Sequence, residues 1–500
     1  MPWTESVSCS SEQAGWSPRI LARDDLETEP DPRRAAPSRA RARAEARVGT
    51  DAAVRSPMVW TQVSDPQRSC QDDGVPTHTG RRTSGHRRRA LLRGHGYFTR
   101  LGPGIVTGAA DDDPSGIGTY SQVGAAQGLS LLWMAPFLLP LAVGVQESTA
   151  RLGLVTGKGL GTLIRERFRR WVLVGAVVLV ASANTLNIAA DLASMGAALR
   201  LLVPVPTAVG VVALAIGMAA AEVLVPYHRY SRVLRWLALS LVAYVLVLFV
   251  VKVDWSAVVA RTFVPRFNVD ATNMLAMTAV AGTTISPYLF FWQASEEVEE
   301  RDDGQADPVD RSHLVAMRVD VWAGMFSGVA AMFAIMCTAA VTLGASGSVN
   351  IGTAEEAAQA LEPLVGSFAK LLFALGIIGL GLLAVPVLAG STAYAIAEAF
   401  DWHEGLSRRL KEAPGFYAVI VASMMIGLAL VAIGLDPIRA LYLAAIFNGV
   451  TAPPLILLIL ILARSQGVLG EFRSGWFSLV ATSLAGVAMT VFPLAALLLA

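Results

Sequence analysis

Three consecutive carboxylates, Asp111, Asp112 and Asp113, stand inside an apolar stretch and run directly into Pro114-Ser115-Gly116. A carboxylate at membrane depth costs about 2.5–3.5 kcal/mol on insertion scales, so it persists where it serves an ion path or a water-filled cavity. Proline and glycine directly after the cluster break the helix and free backbone carbonyls beside the charge. An unwound helix that carries a carboxylate near the bilayer midplane is how secondary transporters build a cation site. A second interruption, Ala281-Gly282-Thr283-Thr284-Ile285-Ser286-Pro287-Tyr288, occurs further along the chain. There Gly282 and the threonine pair loosen the helix, and Pro287 removes an amide donor. The chemistry on offer is cation binding.

Positioning such groups requires a membrane-spanning scaffold, and the composition provides one. The chain has 500 residues, 54% hydrophobic and only 16% charged, with a mean hydropathy of +0.52. Ordinary globular chains carry about 25% charge, and only a polytopic membrane protein needs many apolar runs of about 20 residues. We expect an all-α polytopic membrane protein with about eleven transmembrane helices. Their positions are 101–126, 129–147, 171–200, 204–223, 233–251, 271–295, 319–343, 364–398, 414–433, 440–462 and 476–499. The two interruptions fall in spans 1 and 6. Five is an odd number, so two successive five-span units have opposite topology. Interrupted segments at matching positions of such halves point to a transport site. The expected organisation is a 5+5 inverted repeat with broken helices 1 and 6. Residues 101–251 form the first repeat and 271–462 the second, with an extra helix at 476–499.

Residues 1–95 are rich in Arg, Pro and Ser, lack apolar periodicity and cannot bury enough surface to offset ordering entropy. They read as a disordered tail. Either its arginine clusters bind anionic lipid, or the tail is merely solvated or untranslated, with Met58 a later start. No signal-peptide core occurs in it. Loops 2–3, 4–5, 6–7, 8–9 and 10–11 hold seventeen Lys and Arg, against six in the opposite set. Positive charge marks the cytoplasmic side, so the expectation is a cell-membrane protein with a cytoplasmic N-terminus and an extracytoplasmic C-terminus.

Several function classes are set aside. Cys9, Cys70 and Cys337 form no CxxC, so neither a disulfide framework nor a thiolate metal site is expected. No HExxH or GxSxG occurs, and an acid cluster alone is too little for an enzyme. An amino-acid carrier would offer helix N-termini to a carboxylate, which three aspartates would repel. Nothing suggests nucleic acid. No cofactor is expected, and the partners are a divalent cation and the bilayer.

Leu101-Gly102-Pro103-Gly104 followed by Asp113-Pro114-Ser115-Gly116 resembles span 1 of the Nramp family of divalent-metal transporters, whose motif reads Asp-Pro-Gly-Asn. Ser286-Pro287-Tyr288-Leu289 lies where that family has Met-Pro-His-Asn. Asp191-Leu192-Ala193-Ser194, with Gly196 beyond, looks like its Asp-Leu-Ala-Glu in span 3. The resemblance covers about residue 97 to the end and implies the inverted-repeat fold. It also implies a metal site at Asp113, Gly116, the Thr283 carbonyl and Ser286. Gly116 then replaces the family's Asn, and Ser286 its Met. A thioether favours transition metals over hard cations, so its loss removes the reason for choosing Mn2+ or Fe2+. A roomy oxygen site suits Mg2+, which keeps several of its waters. The pattern is most similar to the Nramp-related magnesium transporters, with Mn2+ also accepted and Ca2+ left open.

Proton coupling calls for a group that titrates near neutral pH inside the membrane, and His is the default. The family's span 6 His is Tyr288 here and its span 3 Glu is Ser194, while all six histidines fall in the tail or in loops. The expectation is uptake driven by membrane potential without proton coupling. Asp111, Asp112 or Asp191 remain candidate proton carriers; the alternative is a proton-coupled Mn2+/Fe2+ symporter. Asp111 and Asp112 either hold the ion's water or face the same aqueous vestibule. Glu296 and Glu300, one turn apart after span 6, form either an acidic exit or a solvated helix end. Asn448 in span 10 lines the gate or bonds a neighbouring helix. Glu147 and Arg151 at i, i+4 read as a structural pair.

Overall fold

Every regular element among the described residues is helical, as long apolar runs demand, because inside hydrocarbon a backbone must close its own hydrogen bonds. The computed structural model describes residues 108, 111, 113–225, 241–266, 268–304, 308–345, 351, 353–434 and 436–500. The tail, Asp112 and residues 101–107 of span 1 lie outside them, as do residues 226–240. The main helices are α1 Pro114–Gln127, α2 Met134–Thr156, α3 Arg170–Leu202, α4 Thr207–Leu224, α5 Val242–Val250 and α6 Ala271–Thr284. They continue as α7 Pro287–Gly304, α8 Arg311–Ala339, α9 Ala369–Phe400, α10 Pro414–Val431, α11 Pro437–Arg464 and α12 Trp476–Leu499.

Among the described residues eight helical segments are long and apolar enough to cross a membrane, or nine if the bent pair Pro114–Leu131 and Met134–Thr156 is one span. The eight match expected spans 3, 4 and 6 to 11. The bent pair turns through 112° and holds spans 1 and 2. Alone, α1 is about 21 Å long, short of the ~30 Å hydrocarbon core, as half of a broken span should be. Of span 5 only α5 is described. His313 stands not in a loop but in the first turn of α8, exposed, where it completes a capping box with Asp310.

Close helix crossings set the frame around the two breaks. The most intimate joins α6 to α11. A Cβ on Gly282 would lie 2.1 Å from the Ala445 carbonyl oxygen, and one on Gly449 would lie 2.6 Å from that of Thr278. Small residues let membrane helices touch backbone to backbone. Elsewhere a buried polar clasp joins three helices. Glu147 of α2 accepts from Arg151, from Arg318 Nε of α8 at 2.7 Å, and from Ser478 of α12. Arg151 Nη1 also reaches the Phe472 carbonyl at 3.1 Å. Large apolar side chains such as Trp171, Phe326 and Leu498 face outward. Trp133 is buried against Phe137 with ring centroids 5.4 Å apart.

Candidate cation site

Asp113 is the residue just before α1, in extended conformation (φ −71°, ψ 173°), with Pro114 at the first helical position. Proline there starts a helix, since the missing N–H would be unpaired anyway. The break therefore precedes Asp113, and Pro114 opens the next half-helix. This corrects the expectation of freed carbonyls after the carboxylate. What faces Asp113 is a helix N-terminus: its Oδ1 accepts from Gly116 N at 2.8 Å and from Ser115 Oγ at 2.6 Å. Amide donors and the positive end of the helix dipole hold the carboxylate in place. No hydrogen bond engages Oδ2 among the described residues, so one oxygen remains for a ligand.

The carbonyls come from the other broken helix. α6 ends at Thr284, and Ile285 and Ser286 bridge to α7. Ser286 Oγ donates back to the Gly282 carbonyl at 3.0 Å and the Thr283 carbonyl at 2.8 Å. A carbonyl has two lone pairs, so Thr283 keeps one. Ser115 Oγ lies 3.1 Å from Thr283 Oγ1, which brings the start of α1 against the end of α6. Asp113, Thr283 and Ser286 are each at most 2% exposed. At Gly116 a Cβ would sit in ordinary contact with Asp113 Oδ1, at 3.8 Å, and tightly against Tyr120 Cε2, at 3.3 Å, so a side chain there would press on Tyr120 and take up space beside the carboxylate.

Three groups around this site went unseen in the sequence. Tyr120 Oη meets Thr284 Oγ1 at 3.0 Å; Thr284 Oγ1 donates to the Val280 carbonyl at 2.8 Å and lies 3.3 Å from the Met332 sulfur of α8. A thioether does stand near the break, but one layer back, against Thr284. Asn187 and Asn448 exchange amide hydrogen bonds of 2.8 and 3.2 Å between α3 and α11. Asn448 thus bonds a neighbouring helix, and Asn187, one turn before Asp191, was legible as sharing its face. No spacing signals Met332.

Asp191 is fully buried, and neither of its carboxylate oxygens has a hydrogen bond; Asp113 is the charge that acts on it. Ser194 turns its hydroxyl to the Asp191 carbonyl at 2.8 Å. Asp111 lies toward α8, where a Cβ on Gly328 would stand 3.2 Å from Asp111 Oδ2. Tyr288 is buried, and its carbonyl accepts from Ser391 at 2.7 Å. No group of three or more His, Cys, Asp or Glu suited to a metal occurs among the described residues.

At the arginine-rich end of the bundle, Glu296 and Glu299 are half-buried, Glu297 is buried and Glu300 is exposed. Glu299 accepts from Tyr394, from Leu406 N at 2.8 Å and from Ser407 N at 3.1 Å. Glu398 of α9 accepts from Ser295 Oγ at 2.8 Å and from Thr162 N at 3.0 Å, capping the short helix Leu160–Arg167. In the loop after α9, burial pushes the Glu404 carboxyl from 4.5 up to about 9. Repulsion from Glu398 and Glu299 adds to this, against the pull of Arg165 and Arg408. The folded chain then holds a proton that the unfolded chain has lost, so stability falls as pH rises from about 4.5 to about 9. Glu404→Gln cannot ionise and should melt with a flatter pH profile, gaining on the native protein toward pH 9. Parallel melting profiles for the two proteins would show that Glu404 is not buried in solution.

The profile of the family described as "Natural resistance-associated macrophage protein-like" matches residues 104–499. The chain belongs to the Nramp family. Among its Nramp relatives, a "Divalent metal cation transporter MntH" of Verminephrobacter eiseniae is 29% identical over 424 residues, 81% of this chain and 91% of that protein. A protein of the same description from Yersinia pestis is 30% identical over 290 residues, 56% of this chain and 68% of that one. A crystal structure of the Eremococcus coleocola manganese transporter, in complex with an aromatic bis-isothiourea substituted compound, aligns with a TM-score of 0.64 at 18% identity. It covers 80% of this chain and 87% of that one. MhsT in complex with L-phenylalanine aligns at 0.55 and 13% identity, covering 79% and 98%, a likeness of fold alone. The Nramp fold is therefore that of a polytopic membrane protein with a broken helix at its centre.

Proposed function

We propose that this protein carries a divalent metal cation across a membrane by alternating access, with Asp113 as its main ligand. The Thr283 carbonyl and Ser286 hydroxyl complete an oxygen set, and Gly116 leaves room for water carried on the ion. The cargo is hydrated Mg2+, with Mn2+ also accepted, and no proton is coupled to it. One observation carries the reading: a buried carboxylate anchored through Oδ1, with Oδ2 unengaged among the described residues, against a helix end that offers oxygen alone. The relatives' description as divalent metal cation transporters supports the charge of the cargo. Hard cations favour such donors, and the Met332 thioether packs against Thr284. Membrane potential alone contributes about 4.6 kcal/mol per 100 mV for a divalent ion, twice the single-charge value.

A second reading, proton-coupled transport of Mn2+ or Fe2+, is favoured by Asp191. A buried carboxylate without hydrogen bonds beside Asp113 is a place for a proton. Proteoliposomes loaded with a pH dye separate the two. Mg2+ uptake with no internal acidification supports the first reading, and Mn2+ uptake accompanied by protons overturns it. In the same assay, Gly116→Asn with Ser286→Met restores a soft ligand and fills the space. We expect the Mn2+ to Mg2+ uptake ratio to rise about tenfold, the worth of one modest interaction. An unchanged ratio would mean that these positions do not set selectivity.

A further inference from the structure

Away from the broken helices, a cavity of about 760 Å3 lies between α3, α4, α10 and the start of α11. Its walls are aliphatic, as at Ala197, Val211 and Leu428. Three charged residues also line it, Arg200, Glu355 and Asp436, all exposed. Val212 of its wall is 42% exposed, on a helix whose neighbouring Ile216 is 61% exposed. An occupant that satisfies this lining has an apolar body and a polar head, which excludes the hydrated ion itself.

Charge says which head. Arg200, in the last turn of α3, is exposed and makes no ion pair or hydrogen bond among the described residues. A guanidinium binds phosphate through paired N–H donors. The carboxylates complement the other end of a headgroup: Glu355 is exposed, and Asp436 uses only Oδ1 to cap α11, at 3.0 Å from Ile438 N and 3.2 Å from Arg439 N. One cation and two anions around an apolar cavity of ligand size match a phosphate joined to an ammonium. We propose that this cavity holds one zwitterionic phospholipid with a primary ammonium headgroup. Its phosphate rests on Arg200, its ammonium lies between Glu355 and Asp436, and its chain fills the space between α3, α4 and α10. The lipid then reaches from α3 to α11, the two helices that Asn187 and Asn448 also join.

The test uses the full chain reconstituted in phosphatidylcholine vesicles containing a minor share of phosphatidylethanolamine or phosphatidylglycerol. The protein is extracted in mild detergent and its retained lipid counted by native mass spectrometry. The expected result is one phosphatidylethanolamine per chain. Arg200→Gln should lower its occupancy about tenfold, the worth of one charge-assisted contact. Ala208→Trp, which fills the cavity from α4, should remove it, and Glu355→Gln should shift retention toward phosphatidylglycerol. Melting curves identify a variant that has lost its fold; Arg200, being exposed, decides the matter if Ala208→Trp unfolds. Equal retention by native, Arg200→Gln and Ala208→Trp proteins overturns the proposal, as does retention of no lipid or native preference for phosphatidylglycerol.

Discussion

Asp113→Asn is expected to fold like the native protein and to lose divalent-cation uptake by at least about a hundredfold, the worth of about 3 kcal/mol of charged ligation. The substitution isolates charge from architecture. Asparagine caps a helix as well as aspartate does, so Gly116 N and Ser115 keep an acceptor and α1 keeps its start. What disappears is the negative charge facing the end of α6. Asp113→Ala removes cap and charge together, so it should lose uptake equally and also melt lower, by the ~1 kcal/mol a cap contributes. Uptake measured in proteoliposomes at matched protein content decides between the two effects. Near-native transport by Asp113→Asn would place the cation elsewhere and remove the basis of the proposed site.

Glu147→Ala should be the most destabilising single substitution in the bundle, by about 3–5 kcal/mol, the range for breaking a buried ion pair from one side. Arg151 is only 3% exposed and would keep a charge with no counterion, while Arg318 and Ser478 lose their shared acceptor. Those partners come from α2, α8 and α12, so the loss would loosen three helices at once. Removing both ends of the pair, Glu147→Ala with Arg151→Ala, should recover part of the deficit, because the stranded charge goes as well. Thermal melting of single and double variants measures this. A single variant that melts with the native protein would show that water reaches the cluster and screens it.

Much of the frame was legible because membrane burial writes itself into long apolar runs. Spans 3, 4 and 6 to 11 fall close to their expected places for that reason. Pairing Glu147 with Arg151 was equally readable, since i, i+4 is a local relation, but its extension to Arg318 and Ser478 crosses 171 and 331 residues of sequence and leaves no trace in spacing. The two breaks were visible as Pro and Gly beside polar residues. Their polarity was not: the same Pro114 reads as a helix breaker in sequence and as a helix starter in three dimensions. Glu296 and Glu300 share a face of α7 by spacing alone, whereas the rotation of that face depends on what the helix packs against. The tertiary fold buried Glu297 and tied Glu299 to Tyr394 and to the Leu406 and Ser407 amides.

The amide pair between α3 and α11 bears on how cheaply this protein can change shape. Asn187 and Asn448 each give and take one hydrogen bond, and each amide would find the same bonds with water if the helices parted. A neutral latch of this kind differs little in free energy between shut and hydrated, because protein–water bonds replace protein–protein ones almost one for one. An ion pair at the same place would lock one state, since separating buried charges is costly. In the proposed transport cycle a neutral latch of this kind adds little bias toward either the shut or the parted arrangement.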